Sequence, residues 1–112
     1  MPGKFELKPS ANGQFMFNLK AANGEVILTS ETYQEKDGAL DGIASVRKNA
    51  ADDAHFERKV AKNGELFFSL KAANGRVLGK SETYSSTTAM ENGIASVKAN
   101  APEAKLDDHT AQ

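Results

Sequence analysis

The residues of this chain that could do chemistry are few, and they come in pairs. Its two histidines, His55 and His109, follow the aspartates Asp52-Asp53 and Asp107-Asp108, and carboxylate oxygens beside an imidazole nitrogen are donors that can hold a divalent metal. The spacing fits no established metal motif, and the two segments read more simply as a solvated linker and a frayed tail. No metal and no cofactor is therefore expected. Ser45 and Ser96 each stand between alanine and valine in a predicted helix, without the strand-turn-helix elbow that exposes and activates a serine nucleophile. Glu31 with Tyr33, and Glu82 with Tyr84, form symmetric polar-aromatic pairs. Two carboxylates brought into one cleft could do acid-base work, yet nothing in the sequence makes these two converge. The simpler arrangement packs each tyrosine over a helix start, with Ser and Glu capping the turn. No catalytic residue is assigned.

Composition removes further classes. There is no cysteine, which excludes thiolate nucleophiles, disulfides and zinc-thiolate sites. Five of the nine glycines sit in Asn-Gly pairs and none in G-x-G-x-x-G or G-x-x-x-x-G-K runs, so phosphate loops and dinucleotide fingerprints are absent. The formal net charge is −1 with both signs interspersed, so the chain as a whole lacks the basic footprint of a nucleic-acid binder, although a local patch remains open. Met1 to Lys8 reads MPGKFELK, neither a signal nor a transit peptide, and no apolar run is long enough to cross a bilayer. The cytoplasm is the expected location. At 112 residues with 39% hydrophobic and 26% charged residues, the chain has ordinary globular proportions, and one domain over residues 1–112 is expected.

The elements that must position these residues are set by a repeat. Aligned on itself at an offset of about fifty residues, the chain matches at roughly half of its positions. Leu19-Lys20-Ala21-Ala22-Asn23-Gly24 recurs as Leu70-Lys71-Ala72-Ala73-Asn74-Gly75, Ser30-Glu31-Thr32-Tyr33 as Ser81-Glu82-Thr83-Tyr84, and Gly42-Ile43-Ala44-Ser45-Val46 as Gly93-Ile94-Ala95-Ser96-Val97. Within a copy, Phe15, Phe17, Leu19 and Ala21 alternate with Met16, Asn18 and Lys20, the period of a strand with one buried face. Asn23-Gly24 predicts a two-residue type I′ turn that sets Ala21 opposite Val26 and Leu19 opposite Leu28; in the second copy Ala72 meets Val77. At Asn12-Gly13 a three-residue loop, Ala11 to Gly13 with Gly13 left-handed, pairs Phe5 with Leu19 and Leu7 with Phe17. The second copy then sets Phe56 opposite Leu70 and Val60 opposite Leu66, with Arg58 facing Phe68.

After each tyrosine the period becomes helical, with Leu40, Ile43 and Val46, then Met90, Ile94 and Val97, on one stripe. Ser85, Ser86 or Thr88 caps the second helix, and Thr88 with Glu91 has capping-box spacing. The helices end at Asn49-Ala50 and Asn100-Ala101, where asparagine can take the left-handed closing position and Pro102 prevents continuation. Gly42 and Gly93, inside the helices, are read as points of close helix-sheet packing. About fifty residues bury too little to be stable alone, so the expected fold is α+β: two tandem β3-α-β repeats, about 3–53 and 54–108, forming one continuous, mainly antiparallel sheet with both helices on one face and pseudo-two-fold symmetry. Residues 54–60 both follow the first helix and open the second unit, Leu106 supplies a last strand, and residues 109–112 form the frayed tail.

The run N-G-x-F-x-F-x-L-K-A-x-N-G-E-V-I-x-x-S-E-x-Y from Asn12 to Tyr33, together with N-G-I-A-S-V from Asn92 to Val97, resembles the YegP-like family of small bacterial proteins, a domain of unknown function. The resemblance covers Gly3 to about Asp108 and implies units that share one sheet and exchange C-terminal strands. It supplies no activity or catalytic residue. Asp41 against Asn92, Glu25 against Arg76 and Leu28 against Gly79 depart between the copies, and all are expected on edges or turns.

A non-enzymatic binding or accessory module is the expected function, with the open sheet face as its contact surface. Met16, Asn18, Lys20 and Ile27 from the first copy, and Phe67, Ser69, Lys71 and Leu78 from the second, are expected to point there. Its partner is unknown. A partly apolar face suits a protein partner or self-association, whereas lysine and aromatic side chains could receive a nucleic acid; with only Lys20 and Lys71 placed, the charge argues for the former. A small enzyme or metal protein is the remaining alternative.

Overall fold

The computed structural model describes residues 3–110. Strands β1 (Lys4–Pro9), β2 (Phe15–Lys20) and β3 (Val26–Ser30) lead to helix α1 (Lys36–Asn49); β4 (Phe56–Val60), β5 (Leu66–Lys71) and β6 (Val77–Lys80) lead to α2 (Thr87–Asn100), and β7 (Lys105–Asp108) closes the chain. The seven strands form one sheet in the order β4-β5-β6-β3-β2-β1-β7. Only β7 runs parallel to its neighbour, β1. The repeats meet at β3 and β6, where Thr29 lies opposite Lys80, the same position of the other copy. The pseudo-two-fold axis therefore passes through the sheet centre, and the expected architecture is the one found.

Alternation of apolar residues buries one face beneath both helices. Phe5, Leu7, Phe17 and Leu19 are fully buried in one copy, Phe68 and Leu70 in the other, against Ile43, Val46, Met90, Ile94 and Val97 from the helices. Each such side chain contributes roughly 1.5–3 kcal/mol when fully removed from water. Phe5 meets Phe17 edge-on at 5.9 Å, and Phe56 meets Phe68 likewise at 5.7 Å, a geometry that aromatic quadrupoles favour.

The pairings Phe5 with Leu19, Leu7 with Phe17, Phe56 with Leu70 and Arg58 with Phe68 hold as expected. The turn at Asn23-Gly24 does not. Type I′ needs positive φ at both central residues, but among the described residues Asn12 is the only non-glycine with positive φ. Ala21 and Glu25 instead close a three-residue loop, with the Ala21 N–H donating to Glu25 and the Gly24 N–H donating to Ala21, while Gly24 alone is left-handed (φ 87°). Lys20, not Ala21, then faces Val26, and a bulge restores Leu19 to Leu28. The second copy repeats this with Lys71 opposite Val77. At the first turn the three-residue length is as expected, but Asn12 (φ 63°) joins Gly13 in the left-handed region.

Three further expectations are corrected. The closing asparagines are not left-handed; Asn100 has φ −91°, and Asn49 and Asn100 end their helices by donating side-chain amides back to the Ser45 and Ser96 carbonyls at 2.8 Å. Asp41 and Asn92 lie within α1 and α2 rather than on an edge or turn, and Gly79 lies in β6, where a Cβ would stand 2.8 Å from the Thr29 carbonyl oxygen and 3.0 Å from the Leu28 side chain. Leu28 fills the space beside the symmetry axis, so its counterpart has to be glycine. Ser86 is the α2 cap, accepting from the Ala89 N–H at 3.1 Å. His109 does not fray: its N–H donates to the Leu7 carbonyl at 2.7 Å. The final residues of the expected tail, 111 and 112, lie outside the described residues.

Candidate functional site

Directly paired residues share a face, so the register defines what the open side of the sheet presents. Lys4, Glu6 and Lys8 of β1 lie opposite Lys20, Asn18 and Met16 of β2. Lys105 and Asp107 of β7 lie beside Lys4 and Glu6. In the second copy Glu57 and Lys59 lie opposite Ser69 and Phe67, with Lys80 and Val77 opposite Ser69 and Lys71. The face thus carries seven lysines, at positions 4, 8, 20, 59, 71, 80 and 105, against three strand carboxylates, Glu6, Glu57 and Asp107. Since the whole chain has a formal net charge of −1, its positive charge is concentrated here.

Four of the lysines are ordered in two equivalent clusters. Lys20 and Lys8 approach Glu6 at 3.2 and 3.6 Å, and Lys71 and Lys59 approach Glu57 at 3.0 and 3.1 Å. The hydrogen bond from Lys20 holds the Glu6 carboxyl below the usual range, and that from Lys71 does the same for Glu57. Each cluster keeps one net positive charge. Lys59 also stands over the half-buried Phe67 ring, 6.0 Å from its centroid. A shallow cleft of about 310 Å³ runs from this ring to the sheet centre, lined by Thr29, Glu31, Lys59, Phe67, Ser69, Val77 and Lys80 among others, so that one carboxylate stands with its two lysines.

The contact residues expected from the sequence divide into three groups. Met16, Lys20, Phe67 and Lys71 line the open face, half-buried. Asn18 and Ser69 also point there but are only 5% and 2% exposed; Asn18 donates to the Thr29 hydroxyl at 2.9 Å, so the two form the floor beneath longer side chains. Ile27 and Leu78 are not on this face. The bulges turn them to the helix side, where each is 3% exposed and part of the core. Lys4, Lys8, Lys59, Lys80 and Lys105 were missed, although the alternation that buries Phe5, Leu7 and Phe56 already sends their polar neighbours outward.

The other chemical candidates are engaged elsewhere. Asp53 binds Lys98 at 2.7 Å and Arg58 at 3.1 Å, leaving His55, among the described residues, only Asp52 at 3.8 Å. Asp108 pairs with Lys36 at 2.6 Å, while His109 reaches Asp107 at 3.0 Å and Glu6 at 3.4 Å. The trio Glu6, Asp107 and His109 has ligand atoms within 4.8 Å of one another, but the ammonium groups of Lys20 and Lys4 already sit on those carboxylates and a metal would have to displace them. Ser45 accepts from Asn49 at 3.2 Å, as Ser96 does from Asn100; neither bonds a general base. Tyr33 stacks on Phe17 at 6.2 Å and Tyr84 on Phe68 at 6.3 Å. Burial raises both phenols above their ordinary pKa, so they stay neutral near pH 7. Ser30 accepts from the Phe17 N–H and donates to the Glu31 carbonyl, which makes the repeated Ser-Glu-x-Tyr run a fastening of β2 to the connection before α1.

The duplicated unit, the shared sheet and the paired Ser-Glu-x-Tyr fastenings define a tandem member of one family: the chain belongs to the DUF1508 family, a domain of unknown function, which matches residues 10–57 and again 61–108. It is similar to the UPF0339 protein of Bordetella pertussis, 57% identical over 110 residues that cover 98% of each chain. It is also similar to UPF0339 protein YegP of Escherichia coli, 50% identical over 110 residues, or 98% of this chain and 100% of that one. The solution NMR structure of the E. coli protein superposes with a TM-score of 0.94 at 49% identity, covering 100% of this chain and 97% of that one. That of the UPF0339 protein from Shewanella oneidensis gives 0.92 at 51% identity, covering 98% and 93%. No specific activity attaches to any of these names.

Proposed function

We propose that the chain is a non-enzymatic binding module that holds an anionic partner on its open sheet face. The observation that carries this reading is the excess of seven lysines over three strand carboxylates, with Glu31 at the cleft as a fourth, on one side of a sheet in a chain of net charge −1. A face so charged concentrates and steers anions. Self-association through the same face has less support, because Ile27 and Leu78 belong to the core and two copies would set lysines against lysines. Catalysis has less support too, since Ser45, Ser96, Tyr33, Tyr84 and His109 are each tied to a structural partner. The cytoplasm, expected from the sequence, is the setting this proposal takes. The test is binding of inorganic polyphosphate at low and moderate salt. Saturable, salt-sensitive binding that the double variant Lys59→Glu, Lys71→Glu abolishes is expected; binding unaffected by those changes, or none at low salt, contradicts the proposal.

A further inference from the structure

We infer that the anionic partner is a single strand of nucleic acid, an inference that rests on the anion-binding reading and adds the identity of the ligand to it. Charge alone does not distinguish a nucleic acid from other polyanions; the aromatic ring does. Phe67 is the half-buried aromatic of the open face, set in the cleft beside Lys59 and running toward Lys80 at the sheet centre. A ring flanked by ammonium groups on a sheet is a platform on which an unpaired base stacks while its phosphates meet the lysines. Met16 occupies the equivalent position in the first copy and offers a second, softer apolar surface.

The dimensions agree. Seven strands at about 4.8 Å spacing make a face roughly 29 Å across, enough for about four nucleotides, the small end of known single-strand site sizes. Lys80 and Lys105 carry no ion pair among the described residues, and each Lys-Glu-Lys cluster adds one net positive charge. About four phosphate contacts follow, and hence a slope near −3 for the logarithm of affinity against the logarithm of salt, at about −0.7 per phosphate for a single strand. A duplex keeps its bases stacked inside and gives Phe67 nothing to receive.

The experiment compares a short oligothymidylate, its duplex with oligoadenylate, polyphosphate and polyglutamate against the full chain. Because the chain has no tryptophan, Phe67→Trp keeps the ring and adds a single fluorescent reporter. The inference predicts tightest binding to the single strand, fluorescence quenching of the Phe67→Trp variant by it, and a loss of about tenfold on Phe67→Ala that exceeds the change in polyphosphate binding. Equal binding of polyphosphate or polyglutamate with no effect of Phe67→Ala would overturn the nucleic-acid assignment and leave the anion-binding reading standing. Preference for the duplex would overturn it as well, and binding to none of the four would overturn both.

Discussion

Tyr33 and Gly42 show how the repeated motif acts residue by residue. The Tyr33 ring is sandwiched between Phe17 and α1, and a methyl placed on Gly42 would overlap the tyrosine hydroxyl and stand 3.1 Å from a Phe17 ring carbon; Gly93 stands in the same relation to Tyr84. Helix propensity alone favours alanine over glycine by about 1 kcal/mol, whereas overpacking costs about 1–3 kcal/mol. Gly42→Ala is therefore expected to lower stability by up to about 2 kcal/mol in urea denaturation, with part of the loss recovered when Tyr33→Phe removes the hydroxyl; a gain of about 1 kcal/mol would mean that the ring yields freely. Burial also sets a pH dependence. Tyr33 and Tyr84 have raised pKa values, so folding favours the neutral phenol, and this contribution is complete below the unfolded value near 10 and lost as pH rises through the folded values. Phenolate absorbance is expected to appear later than in the unfolded chain and to coincide with alkaline loss of stability. Titration at the unfolded value would contradict the packing.

The strands were largely legible because apolar residues alternate, and the helices because the period changes after each tyrosine. Alternation fails where the chain inserts a residue. Ile27 and Leu78 keep the parity of outward residues when counted from the expected turn, yet Asn-Gly permits both a two-residue turn and a three-residue loop with glycine alone left-handed, and only cross-strand packing decides between them. The bulge that follows moved two apolar side chains from the proposed contact face into the core. β7 was legible only as a possibility, since Leu106 stands alone in a polar segment. Its place is secured instead by the backbone bond from His109 to Leu7 at 2.7 Å, the Arg47 guanidinium donating to the Ala104 carbonyl at 2.7 Å, and the pairs Lys4–Asp107 and Lys36–Asp108. Ending the chain after Glu103 removes these and bares the outer edge of β1. At about 1 kcal/mol for each hydrogen bond, a loss of about 2–4 kcal/mol is expected by chemical denaturation, with a tendency to associate through the bared edge. Unchanged stability would show that β7 is an ornament of the sheet rather than part of it.

At the scale of the whole molecule, duplication explains both the fold and its one enforced asymmetry. Two units joined at β3 and β6 make a seven-stranded sheet that leaves one face to both helices and the other to solvent. At the axis only one leucine fits, so Leu28 faces Gly79 across the copies. The charge of the open face was hidden from a whole-chain count, because the acidic residues that balance it lie mostly on turns, connections and helices. It emerges only when the polar positions of β1, β4, β6 and β7 are assigned to the same side as Lys20 and Lys71. That assignment is the central claim, and an amide chemical-shift titration with oligothymidylate tests it most directly. Saturable shifts confined to the open-face strands, around Met16, Lys20, Thr29, Phe67, Lys71 and Lys80, are predicted. Shifts centred instead on the helix side around Tyr33, Ser45 and Arg76, or no shifts at low salt, would contradict the account.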